Sequence, residues 1–138
     1  MIEHWEKGLL ALQFPNLMAF SGIRHGVFTR NGGCSPYPFQ SLNVSFDVGD
    51  DKRNVERNRQ VLLRYIQGNH LVFVKQNHED HVLIFDEKNS WEDSNDVVVG
   101  DAMVTNQPHL FLTLQVADCQ AILLISGRSA GTNFLPQV

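Results

Sequence analysis

An imidazole and a thiol stand at the ends of two apolar runs. His78 follows Leu71-Val72-Phe73-Val74-Lys75-Gln76-Asn77, and Cys119 follows the run from Leu110 through Val116, Ala117 and Asp118. Loops at strand ends are where a rigid sheet can hold reactive side chains. An imidazole beside a thiolate can bind Zn²⁺, or can work as a base and nucleophile pair. Forty-one positions separate the two residues, and that spacing alone does not choose. The plain alternative is a surface-loop histidine and a cysteine serving as a small buried hydrophobe.

A second group lies in Arg30-Asn31-Gly32-Gly33-Cys34-Ser35. Backbone N–H groups, a hydroxyl and a guanidinium could converge there on an anion. The alternative is a tight turn that uses glycine for its positive φ. Asn43 and Arg59 are unremarkable taken singly, and a helical Arg59 belongs by default to a solvated face. His78 and His81 are three apart, but the surrounding pattern is strand-like, so they are not a helical metal pair. His25 is read as a core or supporting residue, and Cys34 as a loop thiol. His4, His70 and His109 sit in polar or turn contexts and need no functional account.

The elements that would position these groups are mixed. Trp5 to Phe20 reads as apolar and irregular, an edge strand and loop. Ile23, His25 and Val27 alternate as in a strand. Asp50 or Asp51 caps a helix whose Val55, Leu62, Tyr65 and Ile66 share one face, with Gly68-Asn69 as its stop. Strands are expected at Leu71–Lys75, His81–Phe85, Val97–Val99, Ala102–Thr105, Leu110–Val116 and Ile122–Ile125. An acidic loop is expected from Asp86 to Asp96. Gly127 to Val138 shows neither period. The expectation is α+β, with strands predominating.

Composition excludes several classes. At 138 residues the chain is one domain's worth, and 43% hydrophobic with 19% charged residues suits an ordered globule. Eleven basic residues against fifteen acidic ones give −4, and the basic residues do not cluster in sequence, which argues against nucleic acid as a partner. No run of about 18 apolar residues is present to span a membrane. Gly8 to Phe20 follows Glu3 and Glu6 and is interrupted by Pro15, unlike a secretory signal. Two cysteines are too few for a disulfide framework, so free thiols and a cytoplasmic location are expected.

Taken in order, the pieces form a pattern. His25-Gly26-Val27-Phe28-Thr29-Arg30-Asn31-Gly32-Gly33-Cys34-Ser35 precedes Ser41-Leu42-Asn43, Gly49-Asp50 and Val55 with Asn58-Arg59. Gln76-Asn77-His78, Asp101-Ala102-Met103-Val104-Thr105 and Ala117-Asp118-Cys119 follow. This set, across roughly residues 20 to 126, resembles the laccase-domain family, the YfiH-like "polyphenol oxidase" proteins. The resemblance implies an α/β/β/α layered fold of the type found in the catalytic domain of cytotoxic necrotizing factors. It also implies phosphorolysis of adenosine, inosine, guanosine or methylthioadenosine, with an adenosine deaminase side activity. It implies zinc held by two histidines and a cysteine, for which His78 and Cys119 match. Arg30, Ser35, Asn43 and Arg59 match further motif positions, with Arg30 suited to phosphate and all four counted as substrate-binding. Laccase proper is disfavoured: a multicopper site draws on about ten histidines, whereas this chain has six and no His-x-His pair. A single copper is still an alternative occupant of a His/Cys site.

The chain also departs from the family pattern. Members run to nearly twice this length, and their third ligand is the histidine of a His-Ala-Gly-Trp-Arg-Gly motif expected near position 136. Here Gly131-Thr132-Asn133-Phe134-Leu135-Pro136-Gln137-Val138 holds no histidine, and Glu79 follows His78 where the family usually has a small residue. The chain therefore resembles the first half of the domain, with residues 127–138 as a tail of different character. Weak zinc binding and impaired phosphorolysis are the expectation, with His25 the nearest substitute ligand. Uncovered apolar surface and self-association are expected as well. Two further readings compete: an inactive binding module on the same scaffold, and a hydrolase using Cys119 as nucleophile and His78 as base.

Overall fold

The computed structural model describes residues 1–87, 98–116 and 119–126. Most of the expected acidic loop, Val97, the pair Ala117-Asp118 and the 127–138 tail lie outside these residues.

The chain opens on a hairpin, where an irregular segment was expected. β1 (Ile2–Glu6) pairs antiparallel with β2 (Leu9–Gln13), Glu6 opposite Leu9. The two residues between them, Lys7 and Gly8, take φ of 49° and 85°. Positive φ at both positions is the turn that matches strand twist, and glycine adopts it without cost. Leu9 and Ala11 on β2 are buried, while all of β1 is exposed. A short α1 (Pro15–Met18) follows, then β3 (Val27–Phe28), which adds to β2. The strand expected around His25 is thus confined to its last residues.

α2 (Lys52–Ile66) forms for the anticipated reasons. The Asp51 side chain accepts the Arg53 N–H at 2.9 Å, satisfying one of the donors that a helix start leaves free. Val55, Asn58, Leu62 and Ile66 are buried along one stripe. The stop falls one residue earlier than expected. Gln67 takes the left-handed conformation, and the Gly68 N–H closes onto the Leu63 carbonyl. Gly68 is needed for another reason, since a Cβ there would strike the ring of Phe111.

The remaining strands pair in parallel. β4 (His70–Phe73) lies beside β7 (Leu110–Thr113), with Phe73 opposite Thr113. β5 (Val82–Phe85) lies beside β6 (Ala102–Thr105), and Lys75 bridges to Val99. Ile122–Ile125 forms no strand; Ile122, Leu123 and Leu124 are exposed there, and no strand among the described residues pairs with them. One cluster of Leu9, Leu42 and Leu62, with Phe28, Val44 and Tyr65 against it, ties the hairpin, the loop after β3 and α2 together.

Candidate functional site

The segment from Arg30 to Asn43 is held by hydrogen bonds that point inward. The Gly33 N–H donates to Ser41 Oγ (3.1 Å), the Cys34 N–H to Asn58 Oδ1 (2.9 Å) and the Ser35 N–H to the Ser41 carbonyl (2.9 Å). Asn58, fully buried on α2, turns its amide nitrogen to Ser35 Oγ (2.8 Å), the Ser41 carbonyl (3.1 Å) and the Asn43 carbonyl (2.7 Å). Asp50 completes the network, accepting from the Ser35 hydroxyl at 2.6 Å and from the Asn43 amide at 3.0 Å. Those bonds, Ser35's foremost and Asn43's next, hold the Asp50 carboxyl below its ordinary value against a smaller opposing effect of burial.

These bonds alter the expected anion loop. The N–H groups of Gly33, Cys34 and Ser35 are spent on the chain itself, and the Ser35 hydroxyl is buried between Asp50 and Asn58. Ser35 and Asn43 therefore brace the loop. Arg30 is exposed, with its Nε donating to the Gln40 carbonyl at 2.7 Å, and its cationic end stays at the surface. Cys34 is an exposed thiol, as expected.

Arg59 is not a solvated face residue. Its guanidinium stacks between the rings of Phe46 (4.3 Å) and Phe73 (3.7 Å), and its Nε donates to the Val44 carbonyl at 2.9 Å. Burial lowers its pKa to about 10, with Asp47 opposing, so it remains a cation at neutral pH. Phe73 ends β4, so Arg59 carries the Asn58 network to the end of the strand that leads to His78.

Because β4 and β7 are parallel and in register, their following loops leave the same end of the sheet. His78 lies five residues past Phe73, and Cys119 lies six past Thr113. Both are exposed, so Cys119 is not the buried hydrophobe of the plain alternative. His78 adopts φ of 61°, a left-handed conformation uncommon outside glycine and asparagine. Asp101, just before β6, holds it there: its carboxylate accepts the N–H of His78 at 2.7 Å and of Glu79 at 2.9 Å. Burial pushes the Asp101 carboxyl up, but the N–H groups of Glu79, His78 and Asn77 outweigh it, and the net shift is downward.

The sign of the linkage follows. A carboxyl whose folded value lies below its ordinary 3.8 contributes stability above that value, and loses it as pH falls through the folded value. The 77–79 turn is expected to stay protected from amide exchange at neutral pH and to open as the solution is acidified below about 4. Asp101→Asn is expected to raise exchange at His78 and Glu79 about tenfold at pH 7, and to remove that acid-dependent step. Hydrogen exchange read by NMR checks both.

His25, the substitute ligand that the sequence suggested, has one ring nitrogen already engaged. Its Nε2 accepts the Phe14 N–H at 2.8 Å, and its ring stacks on that of Phe14. Among the described residues no three histidine, cysteine or acidic side chains come together as a metal group. His78 and Cys119 have the donor chemistry of a soft divalent ion, but they furnish two ligands where a catalytic zinc site takes three.

Asn58 and Asp101 were not among the site residues expected from sequence. Asn58 had a signal, since it falls inside the apolar stripe of α2, where a polar side chain must find buried partners. Asp101 had its place at the head of the Asp101-Ala102-Met103-Val104-Thr105 motif, ahead of a strand. No helix among the described residues is long and apolar enough to cross a membrane.

Comparison with known proteins follows the same residues. The family model described as "Multi-copper polyphenol oxidoreductase laccase" matches residues 24–132, slightly past the span of the motifs. Over 104 residues the chain is 38% identical to the purine nucleoside phosphorylase Cgl2154/cg2365 of Corynebacterium glutamicum, covering 74% of this chain and 42% of that protein. It is 31% identical over 119 residues to a purine nucleoside phosphorylase of Bacteroides thetaiotaomicron, covering 82% and 44%. YlmD from Geobacillus stearothermophilus superposes with a TM-score of 0.69 at 30% identity, over 86% of this chain and 45% of that one. The Bacillus licheniformis protein YfiH gives 0.66 at 29%, over 83% and 43%. The chain spans less than half the length of the curated relatives it matches. With motifs, family model and superposition in agreement, the chain belongs to the multi-copper polyphenol oxidoreductase laccase family and shares the α+β fold of YlmD and YfiH.

Proposed function

We propose that this protein serves in purine nucleoside phosphorolysis, with adenosine, inosine, guanosine or methylthioadenosine as the nucleoside, phosphate as co-substrate, and adenosine deamination as a side activity. The observation that carries this reading is the 38% identity to the Corynebacterium glutamicum phosphorylase over 104 residues, 74% of this chain. Phosphorolysis breaks the bond between sugar C1′ and base nitrogen; phosphate oxygen takes C1′, and the base leaves with a proton. In this reading Arg30 meets phosphate at the surface, Arg59 presents its charge from between two rings, and Ser35 and Asn43 keep the loop in shape. His78 and Cys119 would hold zinc together with a ligand from outside the described residues, and bound zinc supplies Lewis acidity. We place the reaction in the cytoplasm.

Phosphate-dependent release of hypoxanthine from inosine is the assay, with zinc content measured on the same samples. The expected result is slow release by the 138-residue chain and weak zinc retention, both reduced at least about tenfold by His78→Ala and by Cys119→Ala. Release that is indifferent to both substitutions, or absent with zinc in excess, overturns the reading. The second reading, an inactive binding module, is favoured by the lack of any three-residue metal group among the described residues. Nucleoside binding without turnover is its signature. Amide hydrolysis that depends on the Cys119 thiol would instead indicate the hydrolase.

A further inference from the structure

The outward side of α2 carries charge that the helix itself does not use. Arg53, Arg57, Gln60 and Arg64 recur at helical spacing, on the side opposite the buried Val55, Asn58, Leu62 and Ile66. All four are exposed, and with Glu56 they line an open hollow of about 490 Å³. Arg53 pairs with Asp51 at 3.3 Å, but Arg57 and Arg64 have no ion pair among the described residues. The helix offers them none. Positions three and four away from Arg57 hold Arg53, Asn54, Gln60 and Val61, and those around Arg64 hold Gln60, Val61, Gln67 and Gly68. Arg53 and Arg57 are moreover like charges four apart, an arrangement that opposes the helix. The first turn holds Lys52 and Arg53 and no acidic residue, at the end where the dipole disfavours cations. Only Arg64, in the last turn, suits its place. Local preferences are broken in this way chiefly where a surface has another task.

We propose that this stripe binds a compact polyanion, a small molecule carrying two or more linked phosphates. Guanidinium forks meet phosphate oxygens in pairs. Arg53 and Arg57 stand about 6 Å apart along the axis. Helical side chains lean toward the N-terminus, which brings Arg64 over Gln60 toward Arg57 to line the same hollow. No apolar side chain lines it, so a lipid tail or a protein surface finds nothing there to bury. The chain is −4 overall, so the surface beyond the arginines is acidic. Such a surface repels a long nucleic acid strand and admits a ligand confined to the hollow, whose size suits a small molecule. Neither Arg30 nor His78 lines it, which sets it apart from the site proposed for phosphorolysis.

The experiment titrates the 138-residue chain with inorganic triphosphate, which has no base or sugar, by calorimetry at about 0.15 M salt. One-to-one binding is expected. Arg57→Gln with Arg64→Gln should weaken it at least about tenfold, and Arg57→Lys with Arg64→Lys, which keeps the charge and loses the fork, should weaken it less. Lys7→Gln, in the exposed hairpin turn, should leave it unchanged. Without the anion, Arg57→Gln should not lower the thermal midpoint, because it relieves the repulsion from Arg53; a lower midpoint would make Arg57 a support of the helix and remove the premise. No binding, or binding indifferent to both substituted pairs, overturns the proposal. So does binding that Arg30→Gln abolishes while the α2 pairs leave it intact, which would assign the anion to the phosphate loop. Homopolymeric RNA held more tightly than triphosphate would make the partner a nucleic acid and overturn the compact ligand.

Discussion

Asn58→Asp is expected to cost about 3–5 kcal/mol of folding stability, read as a lower urea midpoint and a thermal midpoint reduced on the order of 10 °C. The substitution is nearly isosteric, so the loss is not one of packing. It replaces an amide nitrogen that faces three oxygens, those of Ser35, Ser41 and Asn43, with a fourth oxygen. A neutral carboxyl offers one O–H where the amide offered two N–H donors, and of the three acceptors the Ser41 carbonyl keeps the Ser35 N–H. An acceptor left unpaired costs about 1–3 kcal/mol, and holding the carboxyl protonated at pH 7 adds the rest. Ionisation would add a charge beside the Asp50 carboxylate, which Ser35 already bridges. The introduced carboxyl is therefore held protonated, with its folded value raised above the ordinary 3.9 or so. A raised acid value contributes stability at low pH that is lost as pH rises through the folded value. The deficit of the variant relative to the unsubstituted chain should accordingly shrink between pH 7 and pH 5. A deficit that is constant over this range would mean that the residue acts by shape alone.

Gly33→Ala is expected to be as damaging, at about 3 kcal/mol or more, by a different route. A Cβ at this position would overlap the Ser41 carbonyl oxygen and lie 2.5 Å from the Leu42 Cα. Both obstacles are backbone, so no side chain can turn aside. The strands of the loop must separate, which breaks the bonds from Gly33 and Ser35 to Ser41. Gly22→Ala is the internal control, since a Cβ there meets nothing within 4 Å, and a neutral effect or a gain of a few tenths of a kcal/mol is expected. The double variant Gly33→Ala with Asn58→Asp should lose less than the two single losses combined, because both act through the Ser41 carbonyl. Full additivity in a double-mutant cycle would show that loop and helix do not share this joint.

The local elements were legible where a single periodicity governed them. Val55, Leu62 and Ile66 repeat at helical spacing behind a capping aspartate, so α2 could be drawn from sequence, and Ala102–Thr105 appears as expected. The start of the chain was not legible. Lys7 with Gly8 is a less specific turn signal than asparagine or aspartate with glycine, and β1 shows no burial alternation to mark it. Ile122–Ile125 failed for the opposite reason: its residues suit a strand, but a strand is defined by its partner ladder, which residue type cannot supply. Arg59 illustrates the same limit at the site. Its place on a helix suggested solvent, and only the approach of Phe46 and Phe73 turned it into a half-buried cation.

Residue order by itself pointed to the family, to a cap of α2 at Asp50 or Asp51, and to His78 and Cys119 as candidate donors for a soft metal, because motifs, caps and donor atoms are properties of short stretches. The tertiary structure decided that the Gly33 to Ser35 amides turn inward to Asn58 and Ser41, that Asp101 holds His78 in a left-handed turn, and that parallel pairing sends the His78 and Cys119 loops off one end of the sheet. Each of these joins atoms far apart along the chain. Hydrogen bonds at such separation depend on which surfaces the whole chain buries, and no local pattern encodes that choice.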